Sequence, residues 1–178
     1  MNKNKRLVFI SIYVCLALVL DYIKSFIPFL NMPSGGSVNI ALIPIVLCSF
    51  IMGYKDGFIA GTLWWLISSL LGLNNYIISI PQYIVDYILP SIIIGACSIF
   101  YVKKNMYEVE IGIFIMMFTR TLLLIISGAY FWPGDLASGS LAAWIFSISY
   151  NLPYSFLTYL MLAFTIPIIL KRVNKRVL

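Results

Sequence analysis

Residues 78–95 read ISIPQYIVDYILPSIIIG. A helix needs about 20 mostly apolar residues to cross the hydrocarbon core of a bilayer, and this stretch, extended to about residue 102, meets that length. One residue resists the reading. Asp86 lies inside the run, where a carboxylate costs about 2.5–3.5 kcal/mol on insertion scales. Ionisable residues at membrane depth face the bundle interior or a water-filled cavity, and they mark a site.

The rest of the chain agrees with a membrane reading. Of its 178 residues, 62% are hydrophobic and 10% charged, whereas a soluble domain is about 25% charged. The charges cluster and leave long apolar stretches between them. The expectation is an all-α polytopic membrane protein, one integral-membrane domain over 1–178, built as a six-transmembrane-helix bundle. The helices are expected at about 7–29, 39–53, 57–73, 79–102, 110–131 and 141–170. Turn-rich segments separate them: NMPSGGSVN (31–39), GYKDG (53–57), GLNNY (72–76), KKN (103–105) and WPGDLASGS (132–140). The second helix is short for a crossing and is expected to be tilted, partial or fused with its loop. The N-terminus superficially resembles a secretory signal, but its apolar stretch runs on to about Phe29 without a small-x-small cleavage site. It is expected to stay as the first helix.

Basic residues give the orientation. Lys3, Lys5 and Arg6 precede the first helix, Lys55 follows the second, Lys103 and Lys104 follow the fourth, and Lys171, Arg172, Lys175 and Arg176 follow the sixth. Only Lys24 and Arg120 lie elsewhere. By the positive-inside rule both termini are cytoplasmic, and the loops at 31–39, 74–78 and 132–140 face outward. The net charge of +6 is thus a membrane-orientation signal, with no polar basic face for nucleic acid. Cys15, Cys48 and Cys97 sit in apolar runs without ligand spacing and are read as small packing residues. The chain has no His. With no metal cluster, phosphate loop or nucleophile–base pair, no catalytic residue, metal or cofactor is expected. GGS at 35–37 lacks the flanks of a phosphate-binding loop. No repeat of helix pattern points to an inverted-repeat transporter.

Four ionisable residues fall within expected helices: Asp21, Lys24, Asp86 and Arg120. Asp21 and Lys24, three apart, either pair with each other or mark a pathway. Arg120 either snorkels or shares a polar pocket with Asp86. Asp86 lies about seven residues into its helix, roughly 10 Å deep. Gln82 is one turn earlier on the same face, a spacing that suggests a cavity lining. Aromatic residues surround this region: Trp64 and Trp65, Tyr76, Tyr87, Trp132, Phe146 and Tyr150, with Asn151 beside them. An interfacial belt explains Tyr76 and Trp132 but not Trp64 or Asn151, which should lie deeper. Aromatic faces with a buried acid suit a flat cationic ring through stacking and cation–π contact, and an Asn can fix the edge of a heteroaromatic ring.

Four blocks, NMPSGGSVNIALIPI (31–45), QYIVDYI (82–88), IISGAYFW (125–132) and IFSISYN (145–151), occur in order. Together the chain resembles the thiamine-specific S components of energy-coupling factor (ECF) transporters over nearly its whole length. The resemblance implies a substrate-binding membrane subunit, not an enzyme, that captures a vitamin outside the cell membrane. Its partners would be a transmembrane coupling subunit and two ABC-type ATPases, and the whole subunit would topple in the membrane to release its cargo. Carried over by position, Asp86 replaces the glutamate that meets the cationic ligand and is followed by Tyr87. Trp64 takes a pocket position that Trp65 can also fill. Gly128 and Trp132 match the end of the fifth helix, Asn151 the residue that contacts the pyrimidine, and Arg120 a basic position. Ser11 and Cys15 form the small-xxx-small pair of the coupling face.

Two positions depart from the family's pattern: Leu124 where it has a histidine, and Phe146 where it has a tyrosine. Each loses a hydrogen-bonding group, which bears on ligand choice. Thiamine is the expected ligand, with a related pyrimidine or another small cationic vitamin as the alternative. A stand-alone proton-coupled transporter, using Asp86 or Asp21, is the rival reading. It would show uptake that persists without ATPases and collapses with the proton gradient.

Overall fold

The computed structural model describes residues 2–32, 36–73, 76–103 and 105–177, with side chains to 173. Parts of the expected outer loops (33–35 and 74–75), Lys104 and the side chains of Lys175 and Arg176 lie outside the described residues.

Six helical segments follow in chain order. The first, α1, covers Lys3–Lys24 and so ends five residues before the expected Phe29. Pro28 is the cause. It fixes its own φ and pushes the preceding residue out of the helical region. Ile27 is extended at φ −112°, and Pro28–Leu30 forms a separate 3₁₀ turn. The loop then folds back on itself through an antiparallel bridge between Asn31 and Ser37 and a Val38 N–H to Leu30 carbonyl bond of 2.9 Å.

The second helix, α2, covers Leu42–Met52. Its 11 residues rise only about 16 Å, so the expected short crossing is a partial one. Gly53, at φ +105°, turns the chain directly into α3, Tyr54–Leu70. The fourth helix, α4, covers Ile80–Phe100 and is not uniform. Ser79 caps it, and Ile84–Ile88 is a π-helical turn. The chain resumes α geometry over Leu89–Gly95 and closes as a 3₁₀ turn at Cys97–Phe100. The fifth helix, α5, covers Met106–Phe131 and starts four residues before the expected 110, because the Asn105 side chain caps it by accepting from the Glu108 N–H at 2.8 Å. The sixth, α6, covers Leu141–Val177 and carries its basic tail as continuous helix beyond the expected 170. Among the described residues, α1, α4, α5 and α6 are long and apolar enough to cross a membrane.

The bundle divides into two ends. Ile10 and Val14 of α1, Val109, Ile113 and Met117 of α5, and Leu162, Ile166 and Leu170 of α6 belong to one buried core. All of these lie toward the end that bears the termini. There the helices approach through small residues. A Cβ on Gly57 would strike the Gly95 carbonyl, one on Gly61 the Ser91 carbonyl, and one on Gly112 the Cys97 carbonyl, which is how backbones pack closely in lipid. Ser49 and Ser98 bond side chain to side chain at 3.0 Å, and each also bonds the other's backbone. Arg6 and Asp56 form an ion pair that ties α1 to α3. Cys48 and Cys97 are packed in this core, whereas Cys15 is exposed on α1, so within this chain only the first two act as the packing residues expected. Large apolar side chains such as Phe9, Phe114, Phe156 and Phe164 point outward, as a lipid-facing surface requires.

Candidate functional site

The other end of the bundle encloses a cavity of about 610 Å³, within the range of sites that hold small molecules. Arg120, Leu124 and Gly128 of α5, and Trp132 just past its end, all line it. Four residues apart, they form one stripe that rises about 18 Å, from Arg120 at the deep end to Trp132 at the mouth. Facing this stripe are Trp64 and Trp65 of α3, Asp86 and Tyr87 of α4, and Phe146 and Asn151 of α6. Tyr76 borders the cavity from the loop before α4 and is 75% exposed, so it stands at the rim. All nine ligand-site positions expected from the sequence thus line one cavity. Ser11 and Cys15 instead lie on an outward apolar groove of α1.

Asp86 and Tyr87 are carried by the π turn of α4. Such turns insert a residue into a helix and recur at functional sites. The Asp86 Oδ2 accepts two hydrogen bonds, from the Trp132 indole Nε1 at 3.1 Å and from the Gln82 Nε2 at 3.0 Å. Both fall on one oxygen, and the Ser127 hydroxyl also lies close enough to the carboxylate to stabilise it. No ion pair joins Asp86 to Arg120 among the described residues, where Arg6–Asp56 and Lys24–Asp21 are the two pairs. The expected alternative of a structural Asp86–Arg120 bridge is therefore not realised. The buried Arg120 Nη1 has no hydrogen-bond partner among the described residues, and neither do the indole nitrogens of Trp64 and Trp65. Buried donors are ordinarily satisfied, so these three mark where acceptors belong.

The two tryptophans differ. Trp64 is 6% exposed. Trp65 is half-buried and continues an aromatic row through Tyr83, at 5.9 Å between ring centroids, to Tyr87, at a further 5.5 Å. Both registers considered for a pocket tryptophan are therefore on the wall. Gly128 serves a close approach, since a Cβ there would meet the Ser147 Oγ and come to 3.1 Å from the Asn151 Nδ2. Asn151 is held on both sides. Its Nδ2 donates to the Ser147 carbonyl at 3.0 Å, and its Oδ1 accepts from the Tyr154 hydroxyl.

Sequence reasoning placed Gln82 on the cavity wall, but it is 0% exposed and sits behind that wall. Asp21 and Lys24, singled out from the sequence, form a buried ion pair of 2.9 Å at the border of the cavity, so the pairing reading of those residues is realised. Ser68 and Tyr154, which sequence reasoning passed over, line the cavity as well. The signal for each was helical spacing: Ser68 is one turn beyond Trp64, and Tyr154 one turn beyond Asn151.

A six-segment helical membrane bundle with an acid and aromatic rings around one cavity defines a membrane solute-binding protein. Residues 7–178 match the family model of the Thiamine transporter protein (Thia_YuaJ). The Thiamine transporter ThiT of Bacillus subtilis (strain 168) is 34% identical, with 86% of this chain and 85% of that protein covered. ThiT from Listeria monocytogenes, solved by native-SAD phasing, superposes with a TM-score of 0.76 at 27% identity over 96% of this chain and 97% of the other. The S component of a bacterial ECF transporter superposes with a TM-score of 0.68 at 19% identity over 99% of both chains, a likeness of fold. The chain belongs to the thiamine transporter protein family, as its four sequence blocks imply.

Proposed function

We propose that this protein is the substrate-binding S component of an ECF transporter and that it captures thiamine in the cavity between α3, α4, α5 and α6. The observation that carries the reading is the Asp86 carboxylate, held by Trp132 and Gln82 beside an aromatic row. Thiamine joins a permanently positive, flat thiazolium to an aminopyrimidine. A thiazolium gains from a nearby carboxylate and from aromatic faces, and a cation–π contact strengthens when water is excluded. The unpartnered nitrogens of Trp64, Trp65 and Arg120 supply donors for ring nitrogens and a hydroxyl. Asn151 offers its remaining lone pair to an amino group. Leu124 and Phe146 add apolar wall.

The chain has no phosphate-binding loop, and in this reading energy for uphill uptake comes from partners, a transmembrane coupling subunit and two ABC-type ATPases, in place of an ion gradient. Ser11 and Cys15, four apart on an exposed face of α1, permit the close helix approach that docking in lipid requires.

Three of the four tryptophans border the cavity, so the test is a thiamine titration of purified protein followed by tryptophan fluorescence. Saturable quenching at micromolar thiamine or below is expected. Its absence overturns the ligand assignment. Thiamine uptake that continues in cells lacking the ATPases overturns the assignment of partners.

A further inference from the structure

Gln82 is a buried polar side chain beside the cavity that is not among the residues lining it. It is 0% exposed. Its Oε1 accepts from the Ile78 N–H at 3.2 Å, and its Nε2 donates to the Tyr76 carbonyl at 3.2 Å and to the Asp86 Oδ2 at 3.0 Å. Its backbone N–H closes the Ser79 cap at 3.3 Å. One amide therefore satisfies the loop that precedes α4 and one oxygen of the acid. The link to Asp86 also spans the junction where the α turn Ile80–Tyr83 gives way to the π turn Ile84–Ile88. The Tyr87 hydroxyl accepts from the Tyr76 N–H at 3.1 Å, so the same loop is pinned from the other side of the acid.

We infer that Gln82 is a positioning residue for ligand charge: it fixes the Asp86 carboxylate toward the cavity and couples that orientation to the rim loop carrying Tyr76. The inference rests on the thiamine reading and deepens it. An amide with both Nε2 hydrogens and its oxygen engaged in these directions is oriented by all of its partners together, so its side chain has one low-energy arrangement. A carboxylate bonded to such a group is held in a single rotamer. Without the amide, the acid loses the donor that ties it to the rim loop, keeps Trp132 and the nearby Ser127, and can turn about its side-chain torsions. The loss falls on charge recognition. Ring stacking and hydrogen bonds to the uncharged parts of the ligand stay in place.

The experiment compares thiamine with an uncharged analogue in which a thiophene replaces the thiazolium. Affinities for both are measured on purified full-length protein, unaltered and as Gln82→Met, with thermal unfolding of the ligand-free form alongside. The preference for thiamine over the neutral analogue is expected to fall about tenfold in Gln82→Met, the scale of one hydrogen bond to a charged group. Gln82→Asn keeps a buried amide on an arm too short to serve loop and acid together. It is expected to lose the same preference and supplies the measurement if the Met variant does not fold. In an Asp86→Asn background, Gln82→Met should change the preference no further, since the two act through one bond. Thiamine binding by the unaltered protein, with both ligands weakened equally in the Gln82 variants, would mean a merely structural role and overturn the inference alone. No thiamine binding by the unaltered protein overturns the ligand assignment and the inference with it.

Discussion

Replacing Asp86 with Asn removes a charge and almost nothing else. The Asn carbonyl can accept from the Trp132 Nε1 and the Gln82 Nε2, which now lie 3.1 and 3.0 Å from the Asp86 Oδ2. The shape is kept, so the cavity should persist. Two estimates bracket the cost for a cationic ligand. A unit charge 4 Å from the carboxylate gains about 4 kcal/mol at an effective dielectric of about 20, and desolvation of both ions consumes part of that. A hydrogen bond to a charged group contributes about 1.5–3 kcal/mol. Thiamine affinity is therefore expected to fall by about 1–3 kcal/mol, or about 5- to 150-fold. Isothermal titration calorimetry on the purified variant reads this directly, and a thermal melt without ligand should match the parent. An affinity within twofold of the parent would refute the reasoning, because it would mean the acid is not the counter-charge of the bound ligand.

Two further substitutions test the support around the site. Gly128→Ala would drive a Cβ into the Ser147 Oγ and against the Asn151 Nδ2. Separating α5 from α6 to relieve it should cost about 1–3 kcal/mol and lower both the melting temperature and thiamine affinity. An unchanged melt would show that the helices yield freely there. Tyr154→Phe keeps the ring but removes the hydroxyl bonded to the Asn151 Oδ1. A stability loss of about 0.5–1.5 kcal/mol is expected, with weaker thiamine binding as the Asn amide is released. Unaltered binding would show that Asn151 needs no such restraint.

Much of this was legible in the sequence, and particular residues explain what was not. Asp86 announced a site because a carboxylate in an apolar run demands compensation, and the four blocks of family pattern placed its neighbours. Helix counts followed from hydropathy, since lipid allows few alternatives. Boundaries did not follow so well. Pro28 ends α1 early through a local steric effect although the apolar residues beyond it still look helical, and Asn105 starts α5 early through a cap although the first residues, with Glu108 and Glu110, are too polar to read as membrane helix. The same limit hid the true position of Gln82. A helical wheel drawn with the ordinary period puts positions 82 and 86 on one face and so on one cavity wall. The π turn beginning at Ile84 changes that period, and tertiary bonds to Tyr76 and Ile78 draw Gln82 behind the acid. No pattern within α4 encodes those partners.

The irregularity of α4 makes sense against the rest of the bundle. A π turn followed by Pro90 weakens the backbone hydrogen bonding of a membrane helix, where unsatisfied groups are expensive. At its inner half, α4 is gripped: Gly95 lies against Gly57, Ser98 is bonded three ways to Ser49, and the Cys97 carbonyl is covered by Gly112. At its outer start it is stitched to the loop through Gln82 and Ser79. The segment between these two anchors is the one that carries Asp86 and Tyr87. Anchoring both ends lets the middle leave regular geometry without unravelling, and that departure turns a side chain which would be costly in lipid toward the cavity. The small residues of the inner bundle and the acid of the outer cavity are thus parts of one arrangement. Enlarging Gly57 or Gly95 should therefore disturb ligand binding from a distance, by shifting the inner anchor of α4.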